Sequence, residues 1–487
     1  MALAALALVV GVALARRRRQ APLNVPVSST SRAARTAEVA RLASRVGVTA
    51  AANRARYVLA GRVRREELNR ELELRSAEQV AEALGNMKGL LMKAGQLASF
   101  LDDAMPDEVR DALAGLQQQA PSMSPELAAS VVEDELGAPP NTVFAEWDEM
   151  PIAAASIGQV HRAMTSDGRA VAVKVQYPGV DSAIRADLDN MGSVMAAMPL
   201  VFRNLEVEPL VEEFRARLGE ELDYHVEAAN QQLFADFYSG HPFIHVPDVV
   251  FELSSGRVLT TDLATGARFA EMEKWRQPER DAAAEAIYRF VFRSLYRLHA
   301  FNGDPHPGNY LFHGGGHVTF LDFGLVKHFV PEEVAMLQEL LRTSVLEPEP
   351  EGLRAVIERS GFLTPGAPVA TERLMEYLEP FYSFVLEEGP TTITAELASG
   401  VARRTLAARV TYPDVVKWTN LPAHSAILQR INLGLYAILG RLNATANWRG
   451  ISEEMWPMTD RPPTTPMGEE EAAWWADAKT RASIPRS

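Results

Sequence analysis

The chain has 487 residues, 47% of them hydrophobic and 23% charged. That composition supports a sizeable core and, at ~100–200 residues per domain, more than one domain or one large two-lobed unit. It has no cysteine, which excludes disulfides, thiolate metal sites and thiol nucleophiles. Net charge is −14, yet residues 1–65 carry thirteen arginines against one acid (Glu38), a balance of +12 that leaves −26 for the remainder; so acidic a body argues against nucleic acid as the main partner.

The chain opens with an uncharged, largely apolar run at 2–15, followed by arginines at 16–19. As a helix this run reaches ~21 Å, short of a ~30 Å hydrocarbon core. A secretory signal puts its positive charge ahead of the apolar stretch, and here the charge follows it. Arginines in that position draw the leader to anionic lipid and keep the body on the cytoplasmic side, so a cytoplasmic protein peripheral to the membrane or anchored at its face is expected. No later stretch is long and charge-free enough to span.

Residues 36–75 read as charged amphipathic helix without a catalytic signal. From 77 the helical spacing sharpens (Val80, Leu84, Leu91, Leu97), and Pro106 is placed as a helix starter. A further helix is expected over SPELAASVVEDELG, with Ser124 as N-cap and Gly137 as its stop. After Pro139-Pro140 the period changes. Residues 151–179 alternate as strands around Ser166-Asp167-Gly168 and predict a hairpin. A long helical region follows at 183–238, then a short strand pair ending in RVLTTDLATG. The rest is helical apart from 301–324, and the segment beyond Pro462 reads as a loose acidic end.

The interruption, FNGDPHPGNYLFHGGGHVTFLDFG, holds two aspartates, two asparagines, three histidines and six glycines. YLF and VTFL read as strands joined by the glycine-rich turn, with a loop at each outer end. Asp304 and Asn309 are five apart in one loop, and Asp322-Phe323-Gly324 opens the other. This is the D-x-x-x-x-N…D-F-G spacing of kinase-like phosphotransferases. Asn309 and Asp322 supply the hard oxygens that Mg²⁺ prefers over the histidines, and Asp304 sits where an attacking hydroxyl would lose its proton. Such a pair requires a strand lysine earlier in the chain. Val171-Ala172-Val173-Lys174 provides it, matching the V-A-I-K pattern in which lysine grips the α/β-phosphates of ATP or ADP. For the helix acid that orients this lysine, EELDYHVEAAN offers Glu220, Glu221, Asp223 and Glu227, and composition does not choose among them.

Other kinase parts are changed. Where a glycine loop would cover the phosphates, the chain has Ala153-Ala154-Ala155-Ser156-Ile157-Gly158-Gln159, and alanine Cβ atoms limit close backbone approach. Pro331 already starts the next helix and no A-P-E follows, so an activation segment for docking protein substrates has no room.

Across residues 84–448 these features resemble the UbiB family of atypical kinases, also called AarF-type or ADCK proteins. The most specific pieces are Lys93-Ala94-Gly95-Gln96 (K-x-G-Q), AAASIGQVH, VAVKVQYPG, the E-x-D of Glu221-Leu222-Asp223, DPHPGN and DFG. The resemblance implies an α+β, two-lobed protein-kinase-like fold with a helical N-terminal extension packed over the active site. The corresponding boundaries are 1–20 for the apolar and basic segment, 21–78 for the basic leader, 79–140 for the extension, 141–263 and 264–450 for the lobes, and 451–487 for the tail. It also implies that Lys93, Gln96, Glu221 and Asp223 form a lid, that Glu227 partners Lys174, and that Ala153–Ala155, Ser156, Gly158, Gln159, Asp262 and Ala264 contact nucleotide. In the family a histidine usually stands two residues before the catalytic aspartate and braces its loop; here that position is Asn302.

The expected function is an Mg²⁺- and ATP- or ADP-dependent atypical kinase or ATPase acting on or near membrane lipids or in isoprenoid-quinone biosynthesis. Alternatives are a nucleotide-gated scaffold pseudokinase that transfers no phosphate, and a small-molecule kinase, against which the K-x-G-Q element and the alanine loop speak.

Overall fold

The structure, a computed structural model, describes residues 123–155, 157–180, 222–303, 305–386, 388–419 and 423–478. In chain order its first elements are α1 (Pro125–Leu136), β1 (Glu146–Trp147), β2 (Ala153–Ala154), β3 (Gly158–Met164), β4 (Ala170–Gln176), α2 (Tyr224–Phe237), β5 (Ile244–His245) and β6 (Val258–Asp262). The chain divides into two compact units: residues 1–226 with 249–263, and 227–248 with 264–487.

The first unit is built on an antiparallel sheet of order β1-β3-β4-β6, with β2 pairing β3. Its centre is the hairpin read from the sequence. Thr165 N–H bonds to the Arg169 carbonyl at 2.9 Å, and Gly168 takes φ +84°, which turns the chain between β3 and β4. Along β4, Val171, Val173 and Val175 are buried while Lys174 points to the other face, as the period of two dictates. Helix α1 has the ends expected of it. The Ser124 hydroxyl accepts from Leu127 N–H at 3.3 Å, and Gly137 closes the helix in the left-handed region at φ +81°. Its buried face carries Ala128, Val131 and Val132, and Glu135 pairs with Arg257 at 2.8 Å.

The second unit continues with α3 (Gln277–Arg293), β7 (Ala300–Asn302), β8 (Tyr310–Phe312), β9 (Val318–Phe320), β10 (Val326–His328), α4 (Pro331–Leu341), α5 (Pro350–Arg359), α6 (Thr371–Leu378), β11 (Thr391–Ile393), α7 (Ala395–Thr411), α8 (Ala423–Leu442), β12 (Ala444–Ala446), α9 (Trp448–Met455) and α10 (Pro466–Ala478). Helix α3 is buried over most of its C-terminal half and forms the axis of the core. Phe290 from α3 stacks on Phe320 of β9 with centroids 3.7 Å apart, fixing the β8–β9 hairpin to the helix. Strand β5 adds to β9 in parallel, and β7 pairs antiparallel with β10.

The loose acidic end expected beyond Pro462 is corrected by α10. Glu471 on that helix is buried, accepting from Arg289 Nη1 at 2.9 Å and from Arg293 Nε and Nη2 at 3.0 and 2.7 Å. Burial works against its charge, but Arg293, His241 and Arg289 outweigh that and hold its carboxyl well below the usual carboxylate range. A glutamate enters a core only when so paired, and its arginines lie 178 and 182 residues away in the chain. Among the described residues no helix is long and apolar enough to cross a membrane; the apolar run at 2–15 lies outside them.

Candidate active site

In the first unit the alanine loop runs into β3 through a tight turn, with Ala155 N–H bonded to the Gly158 carbonyl at 2.9 Å. Ala153 and Ala154 form β2, and Ala154 is exposed. Gly158 is required by packing: a Cβ there would run into the Val175 carbonyl of β4 and meet the Tyr224 hydroxyl at 3.0 Å. The loop ends at Gln159. Its side chain is buried, accepting from Met123 N–H at 3.0 Å and lying 2.9 Å from His161 Nε2, so it ties the loop's base to the chain before α1. Alternation explains this, since Gln159, the second residue of β3, shares the inward face with His161 and Ala163.

Lys174 places its Nζ over the Tyr224 ring, 5.1 Å from the centroid. Tyr224 is buried at the first residue of α2, so the lysine rests on a cation–π platform that no motif announces. Asp262, at the end of β6, is ion-paired with Arg169. Asp223 caps α2, its Oδ1 accepting from His225 N–H at 3.0 Å. Both carboxylates thus have local partners.

In the second unit the β8–β9 hairpin does what its residues predict. Leu321 N–H bonds to the Asn309 carbonyl at 2.8 Å, one step beyond the Tyr310–Phe320 pair, so Asn309 and Asp322 sit at the same end of the hairpin. Asp322 has φ +62°, a left-handed conformation uncommon for a residue with a Cβ. Two hydrogen bonds hold it there. Its Oδ1 accepts from Gly324 N–H at 3.1 Å, and its carbonyl accepts from Asn302 Nδ2 at 3.0 Å. Asn302 therefore braces the loop through its amide where the family usually has histidine. Phe323 is fully buried against Phe234, with centroids 4.9 Å apart. Asn230 of α2 donates to the Phe323 carbonyl at 3.3 Å while its Oδ1 meets His328 Nε2 at 3.0 Å.

Glu227, the one of the four helix acids that composition left open and the resemblance selected, is buried, and its carboxylate lies 3.6 Å from where a Cβ on Gly324 would stand. Gly303 precedes Asp304 and bonds through its N–H to the Leu325 carbonyl at 2.6 Å, which anchors that loop to the end of β10. Ala264 begins the second stretch of the second unit. Asp304, Ser156, Glu221, Lys93 and Gln96 lie outside the described residues. Sequence reasoning missed Tyr224, Asn230 and His328, which act through contacts far apart in the chain.

The family model of the ABC1 atypical kinase-like domain matches residues 115–354. The mitochondrial atypical kinase COQ8 of Saccharomyces cerevisiae is 30% identical over 69% of this chain and 67% of its own length. A Mycobacterium tuberculosis protein solved in complex with erythromycin is 32% identical, with a TM-score of 0.57, covering 80% of this chain and 98% of that one. The chain belongs to the ABC1, or UbiB, family of atypical kinases. Another UbiB relative, the mitochondrial atypical kinase COQ8B of Rattus norvegicus, is 32% identical over 62% of this chain and 58% of its own length. The chain spans as little as 38% of a curated Synechocystis relative that it matches at 35% identity. The kinase-like α+β fold of this UbiB chain follows from these matches, and the matched region begins after Lys93 and Gln96.

Proposed function

We propose that this UbiB chain binds ATP or ADP with Mg²⁺ and moves the terminal phosphoryl group to water or to a small or lipid-like acceptor. The observation that carries this reading is the end of the β8–β9 hairpin. Asn309 and Asp322 lie at that same end, and Asp322 is held in a strained conformation by Asn302 and Gly324. Such strain persists at sites whose geometry matters. The donor chemistry fits Mg²⁺: one carboxylate and one amide oxygen leave the remaining positions to phosphate and water, as this ion prefers. When bound, Mg²⁺ supplies neutralising charge on the phosphates.

The chain's own residues take the remaining roles. Lys174, set by Tyr224, binds the α/β-phosphates, and Glu227 orients that lysine. Asp304 accepts the proton of the attacking hydroxyl or water. From the resemblance we further propose that Lys93, Gln96, Glu221 and Asp223 form a lid that bars bulky protein acceptors, and that the activity lies in isoprenoid-quinone or other lipid metabolism. The arginine-rich leader would hold the protein at an anionic membrane face.

The test is a melting experiment with Mg·ATP. Ligand at about one hundred times Kd stabilises the folded state by ~2.7 kcal/mol. The Mg-dependent rise in Tm should vanish in Asp322→Asn, which keeps the shape and removes the charge. A rise that persists in Asp322→Asn would overturn the assignment. Nucleotide binding with no phosphate released, with or without lipid vesicles, would leave a nucleotide-gated scaffold in place of an enzyme.

A further inference from the structure

Helix α10 lies past the 115–354 region that the family model matches, and the reaction proposed above makes no use of it. Its start follows from the sequence. Pro466 takes the first helical position, and the Thr465 hydroxyl before it accepts from Gly468 N–H at 3.0 Å. Met467, Glu471, Trp474 and Trp475 then recur at the i, i+4, i+7, i+8 spacing of one helix face.

That face meets three parts of the second unit. In the first turn, Met467 packs on the glycine turn of the β8–β9 hairpin, where a Cβ on Gly316 would stand 3.2 Å from Met467 Cε. In the middle, Glu471 pairs with Arg289 and Arg293 of α3 at 2.9 and 2.7 Å. In the last turn, Trp475 stands edge-on to Phe237, the final residue of α2, with centroids 5.8 Å apart and planes at 89°. Trp474 Nε1 donates to the Ser239 carbonyl at 3.3 Å, and its ring lies against His241 with centroids 4.6 Å apart. His241 Nδ1 accepts from Phe243 and Ile244 N–H at 3.4 and 3.1 Å, so the neutral ring carries its proton on Nε2, which faces Glu471 Oε1 at 3.6 Å. Thus α10 spans α3 and joins the turn of the hairpin to the end of α2.

Both of those elements carry the candidate metal loop. The hairpin bears Asn309 and leads directly into Asp322. One turn back from Phe237, Phe234 packs on Phe323 with centroids 4.9 Å apart, and Asn230 donates to the Phe323 carbonyl at 3.3 Å. Glu227, a turn further, lies beside Gly324. The ions in the middle of α10 point the same way. Arg289, Arg293 and Glu471 are all buried. Apolar residues often stabilise such a position as well as an ion network does, and the best-attested use of buried ions is to fix one docking register.

We propose that α10 is a strap that positions the metal loop, with Trp474 and Trp475 as its positioning residues; this rests on reading Asn309 and Asp322 as the site of Mg²⁺ and nucleotide. Docked, α10 pins the last turn of α2, and Phe234 and Asn230 then hold Phe323, and with it Asp322, in place. Undocked, α10 frees the end of α2, Phe323 loses its fixed seat, and the Asp322 carboxylate leaves its position. Displacing α10 therefore weakens Mg·nucleotide binding from outside the site.

The test compares full-length wild type with Trp475→Ala and Trp475→Phe by two readouts. The first is amide hydrogen exchange, which reports local opening and needs no nucleotide. Trp475→Ala should speed exchange roughly tenfold, the size of one aromatic pair, both in the last turns of α2 and across 322–324. Amides of α5 and α6, whose Leu353, Ile357 and Leu374 pack in a separate cluster, should exchange as in wild type. The second readout is calorimetric titration with Mg·ADP, where Trp475→Ala should bind about fivefold more weakly, within the range of the same contact. Trp475→Phe keeps an edge partner for Phe237 and should restore most of both. Should Trp475→Ala not fold, Trp474→Phe, which deletes the indole N–H bond to Ser239, is read in the same way.

Three results would overturn the strap. One is faster exchange confined to 466–478. Another is faster exchange everywhere, α5 and α6 included, which makes Trp475 a contributor to global stability only. The third is wild-type Mg·ADP affinity in Trp475→Ala. Wild-type protein that binds no Mg·ADP removes the nucleotide reading alone, and the exchange pattern still decides whether α10 positions the loop.

Discussion

Replacing Asn302 by alanine tests the brace on the candidate metal loop. Asn302 Nδ2 donates at 3.0 Å to the carbonyl of Asp322, whose φ of +62° is one that residues with a Cβ seldom adopt. Holding a residue in that region costs roughly 1–3 kcal/mol and lasts only where surrounding bonds over-determine it. Asn302→Ala removes one such bond and leaves Gly324 N–H on Asp322 Oδ1 as the other described here. The lost hydrogen bond is worth about 0.5–1.5 kcal/mol, and because Asn302 is only partly buried we expect a stability loss near the middle of that range. The functional loss should be as large. If Asp322 relaxes out of the left-handed region, its carboxylate leaves the end of the hairpin that it shares with Asn309. A penalty of about 1.4 kcal/mol then appears as a tenfold weaker Mg·ADP complex. Urea unfolding measures the first quantity and titration calorimetry with Mg·ADP the second. Asn302→His, which restores a ring N–H donor, should recover part of both. An Asn302→Ala protein with wild-type urea midpoint and wild-type Mg·ADP affinity would refute the brace.

Gly158→Ala should cost about 1–3 kcal/mol, because its Cβ meets the Val175 backbone carbonyl and the Tyr224 hydroxyl. It should also weaken nucleotide binding by shifting the tyrosine beneath Lys174, and Tyr224→Phe should not rescue it, since the backbone clash remains. Glu471→Gln should destabilise by about 3–5 kcal/mol, because it strips the buried Arg289 and Arg293 of a shared anion; limited proteolysis should cut within 466–478 first, and equal protease resistance in wild type and mutant would count against the ion-pair account. His161 and His241 are held below their ordinary pKa chiefly by burial, so the unfolded chain binds their protons first. Stability should therefore be full above about pH 6.5 and fall as pH drops below it, by up to ~1.4 kcal/mol per pH unit for each histidine. A urea midpoint that is flat between pH 7.5 and 5.5 would contradict this. Deleting residues 1–35 should reduce binding to anionic vesicles at low salt, and equal binding by both forms would move the membrane contact elsewhere.

The sequence by itself determined the parts of this protein that are local. The β3–β4 hairpin follows from alternating valines and a Ser-Asp-Gly turn, and the ends of α1 follow from Ser124 and Gly137. The β8–β9 hairpin follows from short apolar runs around a glycine turn. In each case one periodicity or one cap dominates, and the partners lie within about a dozen residues. The order of the kinase-like motifs was equally legible, because their spacing is a property of the chain. Tertiary structure decided which polar side chains reach which partners. It turned Gln159 inward to Met123, set Tyr224 under Lys174, and put Glu227 beside Gly324. It also aimed Asn302 at the Asp322 carbonyl and drew Glu471 from a nominally acidic tail into the core. Each of these depends on burying a charge or hydrogen-bonding group. Whether that is tolerable is set by a partner tens to hundreds of residues away, which no window on the sequence contains.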